Sequence, residues 1–386
     1  MKIVYCTDSI CYLGGIQRIT IAKASALANV SGNEVWIIVT DNRKEPVLPL
    51  HPKVHLINLN INYFEDDWKG KWYVLKGIAY KRRWHKQKLQ IVLNQIQPDI
   101  VISTGTSEKN FLPSIHVSSH PAFVREIHNF KYYRIAAANN LFAKILAIGG
   151  NFIDYQLRIH RYDKIVVLTE EDRLTNWNGN DKVCVIPNPL TTMCEEKSTC
   201  QAKRVIAVGR LSYQKNFDFL IRLWKSLHSL YPDWTLEIWG TGGCQQQLSE
   251  LIHEFGLQDC VFLKGYTPNV LSEMARTSIL AFSSVFEGWG LVIVEAMSVG
   301  LPVVAFACPC GPKDIITNNV DGFLIQPGDE EYFREQLIRL MIDENLRIQM
   351  GRNALKKSKK YQIEQVAQSW MDLFAHIRPH RENTLA

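Results

Sequence analysis

The sequence predicts an α/β protein with two doubly wound parallel sheets, and three observations lead to this prediction. Short apolar runs alternate with longer helix-forming segments, which is typical of parallel sheets covered by helices. Glycine-containing turns directly follow several of the apolar runs, as in strand–turn–helix units. The polar stretch from Thr191 to Lys203 interrupts this alternation near the middle of the 386 residues and predicts an interdomain linker.

The N-terminal half begins with a predicted strand, Lys2 to Asp8, followed by a glycine turn that enters a helix. Adjacent Gly14 and Gly15 in this turn allow positive φ and a close approach of the backbone to a ligand. The G-x-G-x-x-G spacing of a dinucleotide-binding turn is absent, so the double glycine alone is a weak signal. Further strands are predicted at Glu34–Thr40, Val54–Leu59, Asp99–Thr104, Ala122–Ile127, Lys164–Thr169 and Val183–Pro187.

The C-terminal half repeats this architecture. Its strands are predicted at Arg204–Val208, Thr235–Trp239, Val261–Lys264, Ser278–Phe282, Val303–Ala307 and Gly322–Ile325. The last predicted helix, Ile363 to Ile377, is apolar on one face and is expected to cross back onto the first domain. The predicted domains are therefore residues 1–190 with 363–386, and residues 191–362.

The most informative stretch of the second half runs from Phe286 to Pro302. A loop containing Gly288 and Gly290 joins a buried strand to the predicted helix Leu291 to Val299. The free N–H groups and positive end of such a helix point at the carboxyl edge of the sheet, where an anion can bind.

Two carboxylates frame this anion site, Glu287 in the loop and Glu295 about one turn inside the helix. A carboxylate accepts a pair of hydroxyl groups well, so the pattern predicts phosphates at the helix end and polyols beside them. The alternative is an acidic loop residue and a solvated helix residue with no shared function.

Basic residues and further glycines follow other predicted strand ends. After Arg204–Val208 come Gly209, Arg210, Lys215 and Asn216, and the two cations suit a diphosphate opposite the Glu287 loop, unless they are ordinary surface charges. Gly240 begins another glycine turn that is expected to line the same site. In the first half, His128 follows a strand and could act on a proton or hydroxyl near neutral pH, or be purely structural.

An aromatic and basic segment from Trp68 to Lys88 carries much of the net charge of +6. Its aromatic and basic residues interleave at roughly helical spacing, which indicates an interfacial membrane helix or a solvated helix whose aromatic residues pack on the core. Anionic lipid is favoured over nucleic acid, because no nucleic-acid-binding module accompanies the segment. The residues assigned to this acceptor or membrane surface are Trp68, Trp72, Arg82, Arg83 and Trp84.

Composition excludes several other classes of protein. No apolar run is long enough for a transmembrane helix, and the N-terminus is a predicted strand rather than a signal peptide. The nine cysteines form no paired framework, which favours reduced thiols in a cytoplasmic protein. Cys308 and Cys310 alone do not make a zinc site.

Taken together, these motifs resemble the GT-B fold of retaining glycosyltransferase family 4, with two facing Rossmann-like domains and a deep interdomain cleft. The matching residues are Gly14-Gly15, Gly209-Arg-Leu with Lys215-Asn216, Glu287 with Glu295, Gly300-Leu-Pro-Val-Val and Gly311-Pro-Lys-Asp-Ile-Ile. The chain departs from the family at Asp314, where the family usually has glutamate. The resemblance covers nearly the whole chain and is strongest from Arg204 to Asp329.

The resemblance implies transfer of a sugar from a nucleotide-sugar donor with retention at the anomeric carbon. Glu295 would bind the ribose diol, Glu287 would lie by the donor sugar, and the backbone from Gly288 through Trp289 and Gly290 to Leu291 would meet donor oxygens. Arg210 and Lys215 would neutralise the leaving diphosphate, so neither a metal nor another cofactor is expected. His128 resembles the family's residue beside the sugar.

The expected function is surface-polysaccharide synthesis, such as capsule, at the cytoplasmic face of the membrane. A UDP-sugar is the favoured donor and GDP-mannose the next, and the acceptor is a polyprenyl-diphosphate-linked glycan or a glycolipid. The alternatives are a sugar-nucleotide epimerase of the same fold, a non-catalytic sugar-nucleotide-binding protein, and a soluble transferase resembling glycogen synthase.

Overall fold

The computed structural model describes residues 1–12, 14–41, 44–63, 71–138 and 140–377, and for residues 71–76 it describes only the backbone. The chain forms two compact units. The first contains Met1–Leu168, Asp172–Thr191 and the chain from Ile363 onward, and the second contains Thr169–Glu171 and Thr192–Gln362.

The first unit is organised around a seven-stranded sheet whose described strands pair in parallel. The strand order is β3-β2-β1-β4-β5-β6-β7. The strands are β1 (Lys2–Thr7), β2 (Glu34–Val39), β3 (Val54–Asn58), β4 (Ile100–Ser103), β5 (Ala122–Glu126), β6 (Lys164–Val167) and β7 (Val183–Val185). All seven predicted strands are confirmed, because strands buried on both faces read as continuous apolar runs.

Helices cover both faces of this sheet and enclose two apolar clusters. In chain order they are α1 (Gly15–Asn29), α2 (Lys71–Ile96), α3 (Tyr133–Ala136), α4 (Leu141–Phe152) and α5 (Glu170–Asn176), the first two residues of α5 being grouped with the second unit. A π-helical turn, Ile153–Arg158, and a 3-10 turn, Ile159–Arg161, continue directly from α4.

The last described helix, α13 (Ile363–Ile377), belongs to the first unit, as its apolar face predicted. Trp370 and Phe374 are fully buried against the same cluster as α1. Asn33, just beyond α1, donates a hydrogen bond to the sulfur of Met371 at 3.4 Å. The chain therefore returns to its first sheet after it has formed the second unit.

The second unit contains a six-stranded parallel sheet with the order β10-β9-β8-β11-β12-β13. Its strands are β8 (Arg204–Val208), β9 (Thr235–Trp239), β10 (Val261–Gly265), β11 (Ile279–Phe282), β12 (Val303–Phe306) and β13 (Gly322–Ile325). Its helices are α6 (Phe217–His228), α7 (Gln245–Glu254), α8 (Val270–Ala275), α9 (Leu291–Ser298), α10 (Pro312–Ile315), α11 (Glu330–Ile342) and α12 (Glu344–Ser358). These strands also follow the predicted positions.

The polar stretch that predicted a linker is mostly packed into the second unit. The backbone N–H of Ser198 donates to the carbonyl of Val299 at 2.7 Å, and the Cys200 thiol donates to the carbonyl of Gly300 at 3.3 Å. Cys200 is buried, and its own carbonyl accepts from Arg347 at 2.9 Å. Residues 192–203 lie in the second unit, within the predicted domain 191–362, and these polar groups satisfy carbonyls at the end of α9.

No helix within the described ranges has the length and apolar character needed to cross a membrane.

Candidate active site

The second unit has a topological switch point between β8 and β11. The chain moves outward from β8 to β9 and β10 and then returns to β11 on the other side of β8. The loops after β8 and β11 therefore leave the same edge of the sheet in opposite directions. Ligands of open parallel sheets bind in the crevice that forms at such a point.

Lys215 and Glu287 meet at this switch point. The Lys215 Nζ atom lies 2.5 Å from the Glu287 Oε1 atom, and the two side chains are only 14% and 10% exposed. The backbone N–H of Val285 donates to the carbonyl of Gln214 at 2.9 Å, and the Gln214 side chain donates to the carbonyl of Phe286 at 2.9 Å. The two loops are thus joined, and the cation and carboxylate that sequence patterns singled out separately form one buried pair.

Arg210 and Glu295 lie in the same unit but differ in environment. Arg210 is exposed and has no hydrogen bond or ion pair within the described part of the chain, so its guanidinium is available to an anion. Glu295 is only 3% exposed, one turn inside α9. The alternative of a solvated helix residue is therefore wrong for Glu295.

Two glycines hold the loops of this edge in contact. Gly240 has a φ of +138°, and a Cβ there would lie 1.9 Å from the carbonyl oxygen of Gly209. Gly311 has a φ of +129°, and a Cβ there would lie 1.8 Å from the carbonyl oxygen of Trp289. In both cases a side chain would collide with backbone, so glycine is required for the loops after β8, β9, β11 and β12 to approach one another.

Other predicted donor-binding residues lie close by in the chain. Asn216 ends a 3-10 turn, Tyr213–Lys215, in the left-handed conformation, immediately before α6. Gly288 and the buried Gly290 precede α9, and Leu291 is its first residue. The indole of Trp289 is buried edge-on against Tyr361, and its Nε1 atom has no hydrogen-bond partner within the described ranges.

Asp314, where the sequence departs from the family pattern, is engaged by backbone groups of the second unit. Its Oδ1 atom accepts from the N–H of Glu170 at 2.6 Å, and its Oδ2 atom from the N–H of Glu171 at 3.4 Å. The Glu171 carboxylate in turn accepts from Lys313 at 2.7 Å. Burial raises the pKa of Asp314. The shorter side chain therefore has a structural role here.

In the first unit, His128 follows β5 with a side chain that is only 4% exposed. Its Nε2 atom lies 3.4 Å from the Glu126 Oε1 atom, but neither ring nitrogen makes a hydrogen bond to the described residues. Burial lowers the pKa of His128 to about 4, so the ring is neutral at pH 7. Any role of His128 beside the sugar would therefore be played by the neutral ring, and that role stays a prediction.

Beneath His128 lies a buried ion pair that sequence reasoning missed. The ammonium of Lys23, from α1, contacts the carboxylate of Glu126 and lies 4.9 Å from the centroid of the Trp370 ring. Burial by itself would raise the pKa of Glu126, but Lys23 and His128 hold it below its ordinary value. The available signal was a lysine among the apolar residues of α1.

A second missed cluster lies at the switch point of the first sheet, where the loops after β1 and β4 meet. Asp8 accepts from the N–H of Thr106 at 2.9 Å and from its hydroxyl at 2.8 Å. Buried Glu108 accepts from the Ser103 hydroxyl at 2.7 Å and the Gly105 N–H at 3.0 Å. Its other oxygen has no partner within the described ranges. Burial and the charge of Asp8 raise the pKa of Glu108 to about 7.

Gly14 and Gly15 also lie at this edge of the first sheet. Gly14 precedes α1, and Gly15 is its first residue and is exposed. The free N–H groups at the start of this 15-residue helix are therefore placed at a polar edge. The positive φ that the glycine turn would allow is not adopted, since Gly14 is extended with a φ of −133° and Gly15 is helical.

The aromatic and basic segment is only partly free for an acceptor or membrane. Arg82 lies 6.0 Å from the centroid of the Phe111 ring, and Lys88 donates to the carbonyl of Leu59 at 2.7 Å. Arg83 and Trp84 are exposed, although Lys88 also lies 3.9 Å from the Trp84 ring centroid. Trp68 and the side chain of Trp72 lie outside the described residues.

Comparison with known proteins gives the class of this protein. A crystal structure of Anabaena Alr3699/HepE in complex with UDP-glucose has a TM-score of 0.72 and 17% identity, and the match covers 97% of this chain and 100% of that chain. Together with the two parallel sheets, this similarity defines a GT-B fold, as the sequence predicted.

Sequence relatives point to the same class of enzyme. Residues 195–357 match the family described as Glycosyl transferases group 1. The chain is 27% identical over 365 residues to an uncharacterized glycosyltransferase of Haemophilus influenzae, covering 92% of this chain and 95% of the relative. It is 29% identical over 323 residues to the poly(glycerol-phosphate) alpha-glucosyltransferase of Bacillus subtilis, covering 81% of this chain and 47% of that relative. Residues 195–357 are thus similar to the group 1 glycosyl transferases, and most of the chain is similar to a protein named as a glycosyltransferase.

Proposed function

We propose that this glycosyltransferase moves a sugar, with retention of anomeric configuration, from a UDP-sugar to a lipid-linked or glycan acceptor in the synthesis of a surface polysaccharide such as capsule. GDP-mannose is the second candidate donor. The observation that carries the proposal is the buried contact of Lys215 with Glu287 at the switch point of the second sheet, beside a helix that contains buried Glu295.

The proposed roles follow from charge and position. The start of α9 and the N–H groups of Trp289 to Leu291 receive donor oxygens, and Glu295 accepts the ribose hydroxyls. Arg210, which is exposed, and Lys215, which is paired with Glu287, neutralise charge on the leaving diphosphate. Because these two cations perform that task, we propose that transfer needs no metal ion.

Glu287 has two tasks in this proposal. Its contact with Lys215 fixes the ammonium in one place, and its carboxylate lies where the transferred sugar is expected. A covalent glycosyl-enzyme of the retaining-glycosidase type would need a second carboxylate as nucleophile on the opposite face of the sugar. The proposal gives no residue that role and therefore includes no covalent intermediate. The acceptor hydroxyl attacks from the face of the leaving phosphate, which takes its proton, and the protein positions both groups.

Retention is supported by the relative named as an alpha-glucosyltransferase, because an α-linked sugar nucleotide that yields an α-glycoside keeps its configuration. A UDP donor is supported by the UDP-glucose complex of a protein with the same fold. The poly(glycerol-phosphate) acceptor of the same relative supports an anionic polymer or lipid-linked glycan as acceptor. We therefore propose a peripheral location at the cytoplasmic face of the membrane.

A donor screen tests this function. The protein is incubated with UDP-, GDP-, ADP- and dTDP-sugars, with and without EDTA, and thermal stabilisation and nucleoside diphosphate release are measured. We expect stabilisation by a UDP-sugar, its loss in Glu295→Ala, and a fall in release of at least about a hundredfold in Lys215→Ala. The exposed helical residue Glu335 provides the matched control Glu335→Ala.

The anomeric configuration of the product, read by NMR, tests retention. An inverted product, full activity of Glu295→Ala, or complete loss of release in EDTA would each contradict the corresponding part of the proposal.

A further inference from the structure

The helical segment that begins with α4 exposes a continuous set of large apolar side chains. Seven of them are at least half exposed, with values from 51% for Ile148 to 76% for Leu141, and Ile153 is 40% exposed. We call this set the α4 surface, and its members are Leu141, Phe142, Ile145, Leu146, Ile148, Phe152, Ile153 and Leu157. Such a concentration of exposed apolar groups indicates a binding surface.

The residues of α4 that face the protein are small or polar. Ala143, Ala147 and Gly150 are half-buried, and Asn151 is buried and donates to the carbonyl of Lys131 at 3.1 Å. These four positions follow helical spacing on one side, while the large apolar residues occupy the other. This arrangement is the reverse of an ordinary surface helix, which buries its large apolar residues.

Polar contacts fix the segment in this orientation. The Asn140 side chain accepts from the N–H of Ala143 at 2.8 Å and caps the start of α4. Beyond its end, Asp154 is bound by Lys109 and by Arg134, the latter at 2.9 Å. Turning the apolar face inward would break these contacts, so its exposure is a property of the native packing.

The charges around the α4 surface complement an anionic partner. Lys144 and Arg161 are exposed. Asp154 is the only carboxylate between residues 140 and 161, and it is turned inward with a side chain that is 12% exposed. The surface therefore presents positive charge and no outward carboxylate, next to aliphatic and phenylalanine side chains.

We propose that the α4 surface docks on a bilayer containing anionic lipids. Its apolar side chains enter the boundary between headgroups and acyl chains, and Lys144 and Arg161 contact anionic headgroups. A bilayer is favoured over a protein partner because six of these eight side chains are Leu or Ile and none is Tyr, Trp or Met, whereas protein interfaces are enriched in aromatic residues and Met. The inference rests on the proposed function, because that function supplies the lipid-linked acceptor. It places membrane contact on α4 rather than on Arg83 and Trp84.

Binding of the full chain to vesicles of phosphatidylcholine, with and without phosphatidylglycerol, tests this inference. We expect binding that strengthens with phosphatidylglycerol and weakens at least about tenfold in the double variant Phe142→Ser with Ile145→Ser. The matched control is Ile91→Ser with Leu174→Ser, because these residues of the first unit are 59% and 56% exposed outside the α4 surface. Lys144→Glu with Arg161→Glu should remove only the additional vesicle binding that phosphatidylglycerol produces.

Transfer to a water-soluble acceptor and thermal unfolding are measured on every variant, and both are expected to stay unchanged. Absence of vesicle binding by the parent, equal weakening in the Ile91 and Leu174 control, or loss only in Arg83→Glu with Trp84→Ser would overturn the inference. The inference would also be overturned if the parent formed an oligomer without lipid and the Phe142 and Ile145 substitutions made it a monomer. That result would show that a second copy of the chain covers the α4 surface.

The same measurements separate this inference from the proposed function. If binding depends on α4 but no lipid-linked acceptor is glycosylated, docking stands and the proposed acceptor fails. If a lipid-linked acceptor is glycosylated in vesicles equally well by the α4 double variant, the function stands and docking through α4 fails.

Discussion

Buried Glu108 makes the stability of the first unit sensitive to pH, and its replacement by glutamine tests this directly. Burial and Asp8 raise its pKa from the ordinary value of 4.5 to about 7. Because the pKa is higher in the folded state, the contribution of Glu108 to stability is fully present below pH 4.5. That contribution is lost as the pH rises through 7. Each pH unit corresponds to about 1.36 kcal/mol, so ionised Glu108 lowers the unfolding free energy of this unit by about 3 kcal/mol.

Glu108→Gln removes the ionisation and keeps an oxygen that can accept from the Ser103 hydroxyl and the Gly105 N–H. We therefore expect the variant to be more stable than the parent by about 3 kcal/mol at pH 8, and equally stable near pH 4.5. Hydrogen exchange of the β1, β4 and β5 amides, followed by mass spectrometry, reports on the first unit by itself. Exchange at pH 8 should slow by about a hundredfold.

Exposed Glu34, at the start of β2, provides the control Glu34→Gln, which should change exchange little at either pH. Equal slowing of the Glu108→Gln variant at both pH values, or faster exchange at pH 8, would refute the reasoning, because the gain must follow ionisation of the carboxylate.

Three further predictions concern buried charge, a neutral histidine and a close backbone contact. Lys23→Met should destabilise the first unit by about 3–5 kcal/mol in denaturant unfolding, because it leaves the Glu126 carboxylate buried without its cation. Adding Glu126→Gln should restore most of the lost stability. A double variant whose loss equals the sum of the two single losses would contradict this. His128→Asn should lower kcat without moving the pH–rate profile between about pH 6 and 8, because the His128 pKa of about 4 keeps the ring neutral throughout. If the substitution removed a titrating limb of the profile in that range, the ring would not be neutral there. Gly240→Ala should lower the free energy of unfolding of the second unit by about 3 kcal/mol or more, measured by thermal unfolding, because its Cβ would meet the Gly209 carbonyl. The control Gly243→Ala should leave stability nearly unchanged, because no atom lies within 4 Å of a Cβ there.

The fold could be predicted from the sequence because its strands are buried on both faces. Val303–Phe306 and Ile279–Phe282, for example, appear as unbroken apolar runs bounded by turn residues. The parallel order then brings every loop after a strand to one edge of its sheet. The contact of Lys215 with Glu287 follows from this geometry, although the two residues are 72 positions apart.

The remaining features depend on tertiary packing that no local pattern encodes. Lys23 looks like an ordinary helix residue until α13 returns from the far end of the chain and encloses it. Ser198 belongs to a polar run typical of a linker, yet its N–H satisfies a carbonyl at the end of α9. The apolar residues of α4 follow helical spacing, but periodicity cannot tell which side of a helix faces the protein.

The return of α13 to the first unit has a consequence for biosynthesis. A ribosome delivers the whole first sheet before the second unit, but Trp370 and Phe374 emerge only after the second unit. Until then Lys23 and the apolar face of α1 stay uncovered, so the second unit can complete its core earlier than the first. Residues 1–191 produced alone would therefore expose this face, and an expression fragment of the first unit needs residues 363–377 fused to its end.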